Sequence, residues 1–174
     1  MQRYTRPAVL LHWLIAILII GAFTMGLVMT DIPGITPTKL KYYSWHKWAG
    51  VTILALATLR LLWRLANQAP AYPATMKPWE KSAAHHLHAL LYLLMFAVPL
   101  SGYFYTLSAG IPVVYFGLFK LPVLIDANPE LKPLLKALHY WLNMGLAGAV
   151  GLHIAAALKH VFIDRDGVMK RMLP

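Results

Sequence analysis

Apolar residues along this chain come in long runs, not in the strict alternation of a strand or the narrow stripe of a surface helix. Four runs, at about 7–29, 42–66, 83–107 and 134–162, are each long enough to cross a bilayer with some tilt. The expected fold is therefore all-α, an integral membrane four-helix bundle making one domain of residues 1–174. Within the connection 108–130, the stretch IPVVYFGLFKLPVLI at 111–125 is apolar too, but it is short for a span and carries Pro112, Lys120 and Pro122. It reads as a loop lying on the headgroups or over the bundle mouth. The first run follows Arg3 and Arg6 as a signal peptide would. It is long for such a segment, however, and TMGLVMTDIPG offers no clear cleavage site, so it is expected to stay as the first span.

Composition sharpens the class. Of 174 residues, 59% are hydrophobic and 13% charged, with a mean hydropathy of +0.58. Ordinary soluble domains carry about 25% charge. There is no cysteine, which excludes disulfides, thiolate-held iron–sulfur clusters and thioether-attached haem.

Four spans put both termini on one side. That side holds the larger share of the 16 Lys and Arg, including Arg3, Arg6, Arg60, Arg64, Lys159 and Arg165. The excess of positive charge places the termini in the cytoplasm. Trp45, Trp48, Trp63, Trp79 and Trp141 fall near span ends, as interfacial residues do.

With directions assigned, the histidines sort into layers. In ALHYWLNMGLAGAVGLHIAAALKHVF, His139, His153 and His160 stand 14 and 7 positions apart. On a helix these steps end roughly 40° short of four turns and roughly 20° short of two, so the three rings share a face. His139 and His153 are separated by about 21 Å along the axis, much of the hydrocarbon thickness. The outer layer contains His46 and His139; the inner layer has six candidates, of which His12 and His153 lie inside the apolar zone. His85 and His86 open the third helix, where histidines are commonly solvated. Imidazoles in hydrocarbon need partners for their nitrogens. Two layers, each with histidines from different helices, match the plan of a di-haem bundle.

Neighbouring residues bear on that plan. Gly50 and Ala57 share the His46 face and Ala16 follows His12 by one turn, leaving room beside the ligands. Gly145 and Gly148 lie off the histidine face and are expected to let helices pack closely. Arg60 stands 14 positions after His46, at the cytoplasmic level. Two readings stay open for it: pairing with haem propionates, or reaching out to the lipid surface beside Arg64. A zinc or copper transporter is the competing use of these histidines. It would usually bring carboxylates or cysteines into the spans, and all six acidic residues lie outside the apolar cores.

The segments LLHWL (10–14), WHKWAG (45–50), RLLWRL (60–65), HHLHALLYLL (85–94), LSGY (100–103), ALHYW (137–141) and GLHIAAALKHVF (151–162) carry a family resemblance. Their order and spacing, across nearly the whole chain, resemble the bacterial cytochrome b561 family. The resemblance implies an inner-membrane oxidoreductase with two non-covalent haem b groups stacked across the bilayer. His46 and His139 would be the axial iron ligands of the outer haem, and His12 and His153 of the inner one. It implies a superoxide oxidase activity: superoxide becomes oxygen on the periplasmic side and electrons pass to ubiquinone. His160 and His88 match family positions beside the inner haem and quinone.

Six outer lysines against three acids suit an anion such as superoxide. Lys47 and Lys136 are the candidates for steering it to the outer haem; the alternative is that they face headgroups or solvent. The expected partners are the bilayer, ubiquinone and superoxide, with no nucleic acid. The alternative function is a quinol-linked module serving a small soluble periplasmic protein that binds an isoprenoid or quinone.

Overall fold

The computed structural model describes residues 3–173. Helices α1 (Arg6–Asp31), α2 (Pro37–Ala66) and α3 (Pro78–Ser108) are followed by strands β1 (Val114–Tyr115) and β2 (Phe119–Lys120). Helix α4 (Leu131–Lys159) continues into a π turn at His160–Asp164, and a 3-10 turn covers Met169–Arg171. The first three helices have 26, 30 and 31 residues. At about 1.5 Å per residue, each exceeds the ~30 Å hydrocarbon layer, so their ends project from it or the helices tilt. All four are long and apolar enough to cross a membrane.

Local chemistry sets where the helices begin. Proline occupies the first turn of α1, α2 and α3, where its missing N–H costs nothing and its fixed φ already suits a helix. The Thr36 hydroxyl caps α2 by accepting from the Lys39 N–H at 3.1 Å. The Glu80 carboxylate accepts from the Lys77 N–H at 2.9 Å at the start of α3. The Asn128 side-chain oxygen accepts from the N–H groups of Glu130 and Leu131, each at 3.0 Å, before α4.

Helix α3 packs most extensively on α4, and α1 on α2, with α2 against α3 joining the pairs. Midway along the bundle, Leu94, Val98, Leu146 and Ala149 form one buried cluster. Ile15, Ala57 and Met95 form a second, and Ile19 packs on both. The outer surfaces carry exposed Leu10, Ile17, Leu62, Leu93 and Leu152, an arrangement that lipid tails satisfy and water does not.

The two ends differ. At one, the termini are tied together and to the connection between α2 and α3. The Tyr4 N–H donates to the Arg171 carbonyl at 3.3 Å, Trp13 Nε1 to the Met172 carbonyl at 2.7 Å, and Arg171 Nη1 to the Ala71 carbonyl at 2.6 Å. At the other end the β hairpin lies on α2. Trp48 Nε1 donates to the Val114 carbonyl at 2.8 Å, the Tyr115 hydroxyl meets Thr52 Oγ1 at 2.9 Å, and Trp48 stacks on Phe116 with ring centres 4.7 Å apart.

One expectation from the sequence is sharpened and one corrected. Within the loop 111–125, Val114 pairs with Lys120 and Tyr115 with Phe119 in an antiparallel ladder. Phe116 (φ +50°) and Gly117 (φ +74°) both adopt left-handed backbone, which reverses the chain with the twist that paired strands require. Gly145 and Gly148 do not mediate close helix packing, because a methyl group at either would meet nothing within 4 Å.

Ala57 is fully enclosed, with 0% exposure, so its small size serves core packing between Ile15 and Met95. Ala57→Leu is expected to lower stability by about 1–3 kcal/mol through overpacking, seen as earlier thermal unfolding in detergent.

Candidate functional site

The bundle brings histidines together in two places, one on each side of the buried apolar clusters. At the hairpin end, His46 of α2 faces His139 of α4, with ring centres 6.2 Å apart and planes at 85°. His46 Nδ1–H donates to the Ala22 carbonyl of α1 at 2.9 Å. A carbonyl only accepts, so Nδ1 carries the proton and Nε2 keeps a free lone pair. The ring reaches that carbonyl because residue 26 is glycine. A Cβ there would stand 3.3 Å from His46 Cε1.

His139 is held the same way against α3. Its Nδ1–H is shared between the Val98 carbonyl at 3.1 Å and Ser101 Oγ at 3.0 Å, while the Ser101 hydroxyl itself donates to Val98 at 2.8 Å. A Cβ at Gly102 would lie 2.8 Å from His139 Cε1, closer than real atoms approach. Asn143 Nδ2 donates to the His139 carbonyl at 2.7 Å and sits 3.3 Å from His139 Nε2.

The second group lies toward the end that holds the termini. His12 of α1 and His153 of α4 have ring centres 6.0 Å apart and planes at 71°. His88 of α3 approaches His153 from another side at 5.4 Å. Arg60 Nη1 donates to the Ala8 carbonyl at 2.5 Å, one turn before His12. The buried Tyr92 hydroxyl lies beside the Arg60 guanidinium and has no partner in full hydrogen-bond geometry among the described residues, and the Arg64 guanidinium lies 5.5 Å from the Tyr92 ring centre.

The remaining candidates are placed differently. His160 Nδ1 lies 2.8 Å from Asp166 and 3.2 Å from Asp164, and Lys159 bridges Asp164 and Glu80 at 2.6 and 2.9 Å. No ring contact joins His160 to His12, His88 or His153 among the described residues. His85 and His86 are exposed and pack on each other. Lys47 is half-buried and Lys136 exposed. A methyl at Gly50 would meet nothing within 4 Å, so open space adjoins α2 one turn after His46.

Reading the sequence gave no role to Gly26, Gly102, Ser101, Asn143 or Tyr92, although the segments LSGY (100–103) and HHLHALLYLL (85–94) contain three of them. Lone glycines inside otherwise apolar helices were the available signal for the first two, since each weakens a helix unless something must come close.

A family profile described as prokaryotic cytochrome b561 matches residues 3–174. The chain belongs to that family. Cytochrome b561 homolog 2 of Escherichia coli (strain K12) is 35% identical over 173 residues, covering 99% of this chain and 92% of that protein. A Yersinia pestis protein named probable superoxide oxidase CybB is 30% identical over 177 residues, covering 99% and 97%. Cytochrome b561 homolog 1 of Escherichia coli (strain K12) is 27% identical over 175 residues. Membership makes this a multi-pass membrane protein of electron transfer and implies haem b.

The residues fit that group. Metal–imidazole bonds are about 2 Å long, so two rings on opposite sides of one ion have centres about 6 Å apart. Both facing pairs have that separation, at 6.0 and 6.2 Å.

The glycine contacts predict graded damage. Gly102→Ala forces His139 off Val98 and is expected to lower the unfolding temperature clearly. Gly26→Ala needs only a few tenths of an ångström from His46 and is expected to lower it less.

Proposed function

We propose that this cytochrome b561 carries electrons across the bacterial inner membrane between two haem b groups, each held by two histidines. His46 and His139 hold the outer one, His12 and His153 the inner one, and the termini lie in the cytoplasm. The carrying observation is the pair of facing imidazole couples at 6.2 and 6.0 Å, on opposite sides of the apolar mid-bundle clusters. The four histidines come from three different helices, α1, α2 and α4, and meet as one couple on each side of those clusters.

The outer reaction is the oxidation of superoxide to oxygen. Two superoxide ions give two oxygen molecules and two electrons; ubiquinone takes these with two protons from the cytoplasmic side and becomes ubiquinol. The relative named probable superoxide oxidase supports this donor. Haem b would supply reversible one-electron transfer, and the two histidines of each couple would hold it. The work of the chain is then to bind, orient and insulate. Ala22 and Val98 fix the tautomers of the outer rings and leave the lone pair on Nε2, which in His139 accepts from Asn143 Nδ2 at 3.3 Å. Arg60 and the buried hydroxyl of Tyr92 are suited to the propionates of the inner group. Ile15, Ile19, Ala57, Leu94 and Met95 close the space between the layers to water. Lys47 and Lys136 steer the anion at the outer face. His88, which touches His153, and His160 border the quinone.

A pyridine haemochrome count on detergent-purified protein tests the ligand assignment. Two b haems per chain are expected, falling to one in His46→Ala and in His12→Ala and to none in the double variant. A haem-free protein made with ample haem supply would return the histidines to the metal-transporter reading. Stopped-flow mixing with superoxide tests the donor: haem reduction should be fast, and slower in Lys47→Glu with Lys136→Glu, most of all at low salt. Reduction no faster than with free haem would move the donor role to a soluble periplasmic protein.

A further inference from the structure

The two histidine pairs have different surroundings, and the difference has a direction. Both outer rings donate Nδ1–H to a backbone carbonyl, His46 to Ala22 at 2.9 Å and His139 to Val98 at 3.1 Å. The same device is built twice: an acceptor carbonyl in one helix, a glycine four residues later, and the ring of the next helix laid in the gap. Ala22 and Gly26 form it for His46; Val98 and Gly102 form it for His139. Among the described residues, neither ring nitrogen of His12 or His153 has such an acceptor. The Ala8 carbonyl, one turn before His12, is taken by the Arg60 guanidinium at 2.5 Å.

These contacts act on a bound iron in opposite senses. An imidazole whose N–H is held by an acceptor is a stronger electron donor, which favours the oxidised iron and lowers the reduction potential. A fixed positive charge in a poorly solvated site favours the reduced iron and raises it. The outer lysines do not reverse this. Lys39 Nζ is committed to the Ile32 carbonyl at 2.7 Å, and Lys41 Nζ sits over the Trp45 ring at 4.7 Å. Lys120, Lys132 and Lys136 are exposed and screened by salt. Lys47 follows His46 directly, so its side chain leaves the helix about 100° away from that ring.

We infer that the Ala22–Gly26 and Val98–Gly102 cradles make the outer haem site the lower-potential one, and that Arg60 makes the inner site the higher, so that electrons run downhill toward the end that holds the termini. This rests on the two-haem reading above. It goes further by assigning the driving force to two glycines, two carbonyls and one arginine. Reversing the electron flow would then need work supplied from the quinol side.

The test is a spectroelectrochemical titration of the purified holoprotein, with the haem count measured on each sample. The wild type is expected to show two midpoints. Gly26→Ala loosens the His46 bond to Ala22 and should raise the lower midpoint alone. Arg60→Gln keeps a donor for Ala8 without the charge and should lower the upper midpoint alone. A tenfold change in electron sharing corresponds to a shift of about 59 mV, well within reach of the titration. The inference is overturned if two haems are present but the midpoints coincide, if Gly26→Ala moves the upper one, or if Arg60→Gln moves the lower one. A wild-type protein without haem would instead remove the reading on which it stands. Should Gly26→Ala fail to fold, Ser101→Ala tests the same point at His139. Removing one of the two acceptors on Nδ1 should move the lower midpoint and leave the upper in place.

Discussion

Everything in this bundle depends on how an imidazole is made tolerable inside hydrocarbon. A ring with an unpaired N–H or lone pair there costs several kcal/mol, as any unsatisfied polar group does. The chain answers with geometry, giving one nitrogen of each ring at the hairpin end to a neighbouring helix and bringing the two rings together. The helix order follows from this requirement. His46 must reach α1 and His139 must reach α3, so the α1–α2 and α3–α4 contacts are the extensive ones.

Glycine makes those reaches possible. Gly26 and Gly102 each sit one turn after an acceptor carbonyl and remove the one atom that would keep the ring away. Glycine weakens a helix interior by up to about 1 kcal/mol relative to alanine, so both helices give up intrinsic stability for a ring position. The same residue type elsewhere in α4 does nothing comparable: Gly145 and Gly148 have open space beside them. A glycine acquires meaning from what approaches it, and that depends on another helix.

This explains what the sequence showed and what it hid. The four apolar helices were legible because run length alone decides them. The placement of His139 and His153 on one face was legible because 14 residues nearly complete four turns, whatever surrounds them. The sorting of His46 with His139 and of His12 with His153 was legible from helix directions and faces, with the resemblance agreeing, and the rings of each pair lie 6.2 and 6.0 Å apart. Contacts between helices distant in sequence were not legible. Nothing local marks Ala22 or Val98 as an acceptor, since every residue has a carbonyl. Nor does any local pattern mark Tyr92 as a tyrosine whose hydroxyl is buried beside Arg60. The hairpin was hidden for a different reason. It takes its shape from left-handed backbone at Phe116, a position where an aromatic residue rarely adopts it.

The ties at the end that holds the termini bear on assembly. Trp13 in the first helix is bonded to Met172, beyond α4, and Arg171 reaches back to Ala71. During synthesis the first two helices therefore enter the membrane with these partners still unmade. Residues 171 and 172 follow α4 in the chain, so the bonds that join this end of α1 to the α2–α3 connection form only after all four helices have been made. The bundle's two ends are therefore secured in sequence, the hairpin end by contacts that precede α4 and the other end by contacts that follow it.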